Sequence, residues 1–227
     1  MSKKIKDDNG NVYVQKKPFY KRVWFWVVVI IILGGIGSQM GGSDTSLTSN
    51  NKSETASKTT NSSSSKKADG ITKAQFDSIK LDESNGTSLA DVKKTFGGKP
   101  DSTSTDTIEG VKSDMDTWDK VANGELVSNV VIGFSNDHAI SKAITGLKVS
   151  RPNKITLDKF NSISNGATKD DVKKAFGEPN GYSITSLAGE SSEDWSYTSG
   201  VKGNLGSNFT ITFQNDVVSG KSQSSMK

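Results

Sequence analysis

The chain of 227 residues contains no cysteine and only one histidine. The absence of cysteine excludes disulfides, thiol nucleophiles, thiolate metal sites and a lipid anchor on cysteine. An exported domain of this kind must be held together by its core alone, which weakly favours a bacterial surface protein. The single histidine, His138, follows a predicted turn at Asn136-Asp137 and has no nucleophile motif beside it, which favours a solvated turn over a catalytic role.

Acidic residues are grouped in two places, but neither group has the pattern of a known site. The groups are Asp114, Asp116 and Asp119, and Glu190, Glu193 and Asp194. The first lacks the central glycine and the final glutamate of a calcium-binding loop, which favours a solvated strand face. The second is typical of any acidic surface, although a pair of carboxylates could also act as acid and base. We therefore predict no catalytic residue, no metal and no cofactor.

The net charge of +4 is unevenly distributed along the chain. Residues 1–22 carry +5, residues 43–70 carry +1, and residues 71–227 are left with −2. The basic excess therefore belongs to the N-terminal tail, where it suits anionic lipid. The charge of the remainder does not support a nucleic-acid partner.

Residues 23–40 form an uncharged and mostly apolar run, whose eighteen residues are at the lower end of the length that spans a membrane. Trp24 and Trp26 fit an aromatic belt, and basic residues precede the run but do not directly follow it. We predict a single-pass anchor in the cell membrane with residues 1–22 in the cytoplasm and the C-terminal part extracellular. The tail and the run resemble the N-terminal anchors of small membrane proteins of Gram-positive bacteria. The alternative is a cleaved signal peptide.

Two segments flank this run. In the basic tail, Asn9-Gly10 is a strong hairpin signal, but an isolated hairpin is marginally stable in water, which favours a loosely ordered tail. Residues 41–70 are mainly Ser, Thr, Asn, Gly and Lys and cannot bury enough surface to fold. We predict a disordered linker there, serving either as a tether across the cell wall or as a featureless spacer.

From residue 71 onward the sequence is duplicated. The segments 86–97 and 166–177 are identical at seven of twelve positions, and a proline follows each of them. Trp118 is matched by Trp195 further along. The duplication predicts two units, one over residues 71–150 and one over residues 151–227.

Each unit contains the same local signals. Thr72, Ser88 and Thr168 are predicted N-caps, and Gly97 and Gly177 are predicted C-caps in the left-handed conformation. Alternating apolar residues then indicate strands, the clearest being Val127, Val130–Ile132 and Phe134, and Phe209, Ile211 and Phe213. We predict an α+β fold of two tandem repeats, each with two short helices packed on its own three- to four-stranded antiparallel sheet, and an interface shared by the pair.

Each unit contains the pattern Gly-x-[Ser/Thr]-x-x-Asp-Val-Lys-Lys-x-Phe-Gly. A proline, a tryptophan and a strand ending in Phe-x-Asn-Asp follow it. This arrangement resembles the repeat of the β-lactamase inhibitor protein family. It is also similar to the single unit of the BamE-like (SmpA/OmlA) lipoproteins. The resemblance covers about 150 residues. It implies a scaffold that binds protein surfaces through a concave sheet face and loops, although this chain lacks the disulfides of the inhibitors.

Three aromatic residues are candidate protein-binding residues: Tyr182, Trp195 and Tyr197. Tyr182 directly follows Gly181 and is expected in a loop. Trp195 and Tyr197 are two residues apart and share one face of a strand. They belong to the core if that face packs on the helices, and form a binding hot spot if it is open. The predicted function is a non-catalytic, membrane-anchored module that binds an unknown envelope or extracellular protein, in envelope assembly or inhibitor-like recognition. The alternatives are a cell-envelope hydrolase and a passive surface protein.

Overall fold

A computed structural model describes residues 69–108, 111–187 and 189–227, and the backbone of two short segments in the N-terminal tail. Side chains at positions 106–108, 111 and 112 are not included in that description. The predicted membrane span at 23–40 and all but the end of the predicted linker at 41–70 lie outside the described residues. Within the described part of the chain, no helix is long and apolar enough to cross a membrane.

The two segments of the tail are the strands β1 (Lys4–Lys6) and β2 (Val12–Val14), which pair in antiparallel register with Ile5 opposite Tyr13. They flank the predicted turn at Asn9-Gly10. The strand pair agrees with the hairpin signal of that dipeptide.

The part of the chain that the structure describes contains four short helices, and three of them begin at N-caps that the local sequence predicts. The helices are α1 (Lys73–Ser78), α2 (Leu89–Phe96), α3 (Leu157–Asn161) and α4 (Lys169–Phe176). Thr72 and Thr168 form capping boxes, and Ser88 accepts a hydrogen bond from the Asp91 amide. Gly97 ends α2 in the left-handed conformation, with φ 82° and ψ 19°. These predictions are confirmed, but the prediction for Gly177 is wrong in one respect: Gly177 ends α4 with φ 75° and ψ −168°, outside the left-handed helical region.

The sheet is built from eight antiparallel strands, each paired with its neighbours in the sequence. They are β3 (Ser102–Ile108), β4 (Val111–Asp119), β5 (Gly124–Ser135), β6 (His138–Leu147), β7 (Gly181–Leu187), β8 (Glu190–Tyr197), β9 (Gly203–Gln214) and β10 (Val217–Met226). Asn136 and Asp137 (φ 50° and 66°) join β5 to β6, and Asn215 and Asp216 (φ 50° and 65°) join β9 to β10. Two consecutive residues with positive φ are typical of the tight hairpin turns predicted there.

The prediction of two repeats, each with its own small sheet, is wrong. Strand β6 pairs with β7 between Ser141↔Thr185 and Ile144↔Tyr182, so the strands of the two halves form one continuous sheet. The fold is therefore a mostly β structure with a single eight-stranded sheet and four short helices. Pairing β6 with β7 satisfies the backbone groups of two edges that separate sheets would leave open.

One face of this sheet is covered by the helices. The register places Trp118, Val130, Ile144, Tyr182, Trp195 and Ile211 in a row across it, one residue from each strand from β4 to β9. Phe96 of α2 contacts Trp118 with ring centroids 5.0 Å apart, and Phe176 of α4 contacts Phe209 at the same distance. Trp118 belongs to the core, with only 4% of the residue exposed. The core therefore lies between the helices and this face of the sheet.

Candidate functional site: two leucine bulges at one end of the sheet

The two long strands that begin with glycine, β5 and β9, both bulge near their first residue. Between the pairs Gly124↔Leu147 and Asn129↔Thr145, four residues of β5 face only Gly146 of β6. We call residues 125–128 the first bulge. Between Gly203↔Met226 and Asn208↔Ser224, four residues of β9 face only Ser225 of β10. Residues 204–207 are the second bulge.

The tip of each bulge is a leucine exposed to solvent. Leu126 is 100% exposed and Leu205 is 105% exposed, relative to a reference residue. Val127, next to Leu126, is 84% exposed. Only Val217 joins these three as an exposed large hydrophobic residue within the described part of the chain, at 39%. Leu126 and Leu205 therefore contribute little to the core of this domain, and their apolar surface is open to contact by a partner.

The sequence of the two bulges follows one pattern, Gly-x-Leu-x-Ser-Asn, which occurs as Gly124–Asn129 and Gly203–Asn208. The sequence analysis missed it, because apolar residues next to an alternating pattern indicate a buried strand. Val127 falls within the bounds of β5, as predicted, but it does not face the core. The repeated hexapeptide beginning with glycine was the available signal, since glycine inside a strand often marks a bulge.

The first bulge is held by its own serine and by the segment that enters the domain. The Ser128 hydroxyl accepts a hydrogen bond from the Val121 amide at 3.1 Å, and the Ser128 carbonyl accepts one from the Lys120 amide at 2.8 Å. The Ile71 amide donates to the Lys120 carbonyl at 3.0 Å, and Lys120 forms an ion pair with Asp69. Ser128 is only 3% exposed, so a buried base supports the exposed leucine.

The second bulge has an equivalent support. The Ile155 amide donates to the Gly200 carbonyl at 2.8 Å, beside the start of β9. Arg151 fixes the preceding loop: its Nη1 donates to the Ser199 carbonyl at 2.9 Å and to Asn180 Oδ1 at 3.1 Å. The Arg151 guanidinium also lies 5.2 Å from the centre of the Tyr197 ring. Because both bases are held by hydrogen bonds, the two leucines are presented by ordered backbone.

Both bulges lie at the same end of the sheet, because β5 and β9 run in the same direction with three strands between them. Four strand spacings separate β5 from β9, which places the bulges roughly 19 Å apart. The chain also enters the domain at this end, through Asp69 and Ile71. Two apolar tips at this spacing can contact one protein surface simultaneously.

The three aromatic residues predicted for binding lie on the helix-covered face. Tyr182, Trp195 and Tyr197 are 7%, 2% and 0% exposed. Their polar atoms have partners inside the protein: the Tyr182 hydroxyl donates to Glu178 at 2.5 Å, Trp195 Nε1 donates to Glu193 at 2.5 Å, and the Tyr197 hydroxyl donates to the Gly177 carbonyl at 3.1 Å. Burial raises the pKa of both tyrosines. The structure therefore places all three in the core, which is the first of the two positions considered for Trp195 and Tyr197. The expectation of a loop at Tyr182 is wrong, because Tyr182 is the second residue of β7.

The residues considered for chemistry are dispersed. His138 begins β6, where its Nδ1 lies 3.1 Å from the Gly86 carbonyl. Asp116 is buried and accepts a hydrogen bond from Thr103 at 2.6 Å, while Asp194 accepts one from Thr212 at 2.6 Å. Within residues 69–108, 111–187 and 189–227 there is no group of three or more His, Cys, Asp or Glu that could hold a metal ion.

Comparison with known proteins gives a family and a fold. The model of the DUF3862 family, described as a domain of unknown function with a solved structure, matches residues 66–226. A crystal structure titled "putative beta-lactamase inhibitor protein", from Streptococcus mutans, is similar to this chain with a TM-score of 0.54 and 20% sequence identity. The similarity covers 68% of this chain and 95% of the other. None of the curated proteins matches the chain.

Proposed function

This chain belongs to the DUF3862 family, and we propose that it is a non-catalytic, inhibitor-like module that binds a folded protein partner. The fold that it shares with a protein described as a β-lactamase inhibitor supports this proposal. A shared fold does not by itself assign a function, so the argument depends on the surface of this chain.

The observation that carries the proposal is the exposure of Leu126 and Leu205 at the tips of two equivalent bulges. Burying a leucine side chain contributes about 1.5–3 kcal/mol. Both leucines forgo this contribution in the monomer, although the same sheet buries aromatic side chains almost completely. A partner surface that accepts both tips would gain that free energy twice.

We also propose where the module works. The apolar run at 23–40 anchors the chain in the cell membrane, the basic tail stays in the cytoplasm, and residues 71–227 bind an envelope or extracellular protein. Because the chain enters the domain beside the first bulge, the linker reaches the domain at the end that carries both leucines. The resemblance to BamE-like lipoproteins suggests envelope assembly as the process, and the resemblance to the inhibitor family suggests control of an enzyme.

The test compares the full chain with Leu126→Ala, Leu205→Ala and the double variant. Partners are captured from envelope extract, identified, and titrated against each variant; inhibition of a serine β-lactamase is measured in parallel. We expect each single substitution to weaken binding of the partner about tenfold and the double variant about a hundredfold, since about 1.4 kcal/mol corresponds to a factor of ten.

Val217→Ala is the matched control, because Val217 is also an exposed apolar residue but begins β10 at the opposite end of the sheet. The Val217→Ala variant should bind the partner with the same affinity as the unmodified chain. Binding that is equally strong in the double variant would contradict the role of the bulges. Turnover of a wall substrate that His138→Ala abolishes would favour the hydrolase, and the absence of any partner would favour a passive surface protein.

A further inference from the structure

The two edges of the eight-stranded sheet differ in regularity. Strand β3 pairs with β4 without interruption from Ser102↔Thr117 to Ile108↔Val111. Strand β10, at the other edge, has register shifts between Val218 and Gly220 and between Ser224 and Met226. Bulges are one means by which natural proteins prevent an edge from pairing with another chain.

The sequence of β3 also lacks two residue types that protect an edge strand from pairing. Its seven residues, Ser-Thr-Ser-Thr-Asp-Thr-Ile, contain neither lysine nor proline. Lysine and proline are frequent on edges that must not pair. Residues 101–105 are exposed, and no strand of the described chain pairs with the outer edge of β3. The outward N–H and C=O groups of β3 are therefore a template for one more strand.

The sequence of the hairpin that contains this edge is acidic. Residues 101–119, which contain β3 and β4, have six acidic residues and one lysine, a net charge of −5. Since residues 71–227 together carry −2, the rest of that region carries +3. The other edge has the opposite sign, because residues 217–227 contain two lysines and no acid. A segment added along β3 would therefore meet an anionic edge.

Hydrogen bonds hold carboxylates along the hairpin. Asp101 accepts from the Asp119 amide at 2.8 Å, Thr103 donates to Asp116 at 2.6 Å, and Thr105 donates to Asp114 at 2.5 Å. Asp101 and Asp119 are exposed, Asp114 is half-buried and Asp116 is buried, so the exposed carboxylates of the hairpin are those of Asp101 and Asp119. An added strand would lie about 4.8 Å from β3 and about 10 Å from β4, a distance that long cationic side chains can largely span.

We infer that the outer edge of β3 binds an extended, lysine- or arginine-rich segment of a partner protein, which adds to the sheet as a ninth strand. Backbone hydrogen bonds supply the pairing, and the carboxylates of the hairpin select for cationic side chains. This surface is separate from the leucine bulges, so the inference does not depend on the function proposed above.

The probe is a fluorescent ten-residue peptide in which lysine alternates with threonine, titrated against the full chain by anisotropy at about 0.15 M salt. Two control peptides separate the contributions. One replaces lysine with glutamate and removes the charge match; the other keeps every lysine but carries N-methyl groups on alternate backbone amides, which removes strand pairing. We expect both control peptides to bind at least tenfold more weakly than the probe.

On the protein side, Ser104→Lys places a cation on the exposed edge strand, and Ser222→Lys places one on the exposed part of β10. We expect the first substitution to weaken binding of the peptide at least tenfold and the second to leave it unchanged. Bound peptide should also slow hydrogen exchange in β3 and not in β10. Equal binding of the N-methylated peptide, an equal loss in Ser222→Lys, or self-association through β3 without binding of the peptide would each overturn the inference.

Discussion

Lys142 provides a quantitative test of how the helices are attached to the sheet. It lies on the helix-covered face and is only 8% exposed. Its ammonium group donates to the carbonyls of Phe76, Asp77 and Ile79 at 3.2, 3.2 and 2.7 Å, which are the last carbonyls of α1. It also lies 5.0 Å from the centre of the Phe76 ring. A cation is favourable at the C-terminal end of a helix.

Replacing Lys142 with methionine keeps the length of the aliphatic chain but removes all three donors. The Phe76 carbonyl keeps the Ile79 amide as a donor, so the loss falls on the Asp77 and Ile79 carbonyls. A buried carbonyl left without a donor costs about 1–3 kcal/mol, while the relief from burying a charge offsets part of this loss. We expect Lys142→Met to lower the free energy of unfolding by about 2–4 kcal/mol. Lys221 makes the same kind of contacts with Phe160, Asn161 and Ile163, at 2.8, 3.2 and 2.6 Å, but is only half-buried. Because water can donate hydrogen bonds to these carbonyls in place of the Lys221 ammonium group, Lys221→Met should lower the free energy of unfolding by only about 1 kcal/mol.

Urea unfolding with a constant m-value measures both losses. The pH dependence supplies a second test. Burial lowers the pKa of Lys142 from its ordinary value of 10.5, although the nearby Asp77 opposes the shift. Between the lowered pKa and 10.5 the unfolded chain binds more protons, so the unmodified protein gains stability as pH rises through that window. The difference in the free energy of unfolding between the unmodified protein and Lys142→Met should therefore increase as the pH rises toward 10.5. Two results would refute this account: an equal loss of stability in Lys142→Met and Lys221→Met, or a stability difference between the unmodified protein and Lys142→Met that decreases as the pH rises.

Two further substitutions test the sheet. A Cβ at Gly203 would lie 2.1 Å from the Ser225 carbonyl oxygen, so Gly203→Ala should lower the free energy of unfolding in urea by about 1–3 kcal/mol. Gly98→Ala is the control, because a Cβ there meets nothing within 4 Å, and it should leave the unfolding midpoint unchanged. Equal midpoints for the two variants would contradict the close approach at Gly203. Burial raises the pKa of Asp194 above its ordinary value of 3.8, with the Thr212 hydroxyl opposing, so the native protein binds more protons and loses stability as pH rises through this window. Asp194→Asn should therefore gain stability relative to the unmodified chain as the pH rises from 3.8 through the raised pKa of Asp194, and a constant difference would count against this explanation.

The elements that the sequence predicted well depend on local chemistry. The N-caps at Thr72, Ser88 and Thr168 are formed by side chains that bond to amides three residues away, so neighbouring residues suffice to identify them. The turn at Asn136-Asp137 follows from the tolerance of both residues for positive φ. The strand positions follow from alternation of apolar residues.

The single sheet could not be predicted in this way. Alternation indicates that β6 and β7 are strands, but nothing local indicates that the edge of one pairs with the edge of the other across the intervening α3 and α4. The duplicated sequence favoured two separate sheets, because each half contains everything that a small sheet needs. Pairing between β6 and β7 is a long-range property, and only the structure shows it.

The candidate site was missed for a similar reason. Trp195 and Tyr197 were correctly placed on one face of a strand, but the position of the helices decides whether that face is core. Leu126 is exposed because four residues of β5 face one residue of β6, and Gly146 provides that residue with φ 73°. A bulge defined by two strands cannot be found from the pattern of one.

The central claim is that both leucine bulges contact one partner. It is tested most directly by photo-crosslinking on cells that carry the full chain with a photoreactive amino acid at position 126, 205 or 217. The account predicts that positions 126 and 205 crosslink to the same envelope or extracellular protein and that position 217, at the opposite end of the sheet, does not. Crosslinks to that protein from position 217 alone, or to unrelated proteins from 126 and 205, would contradict it.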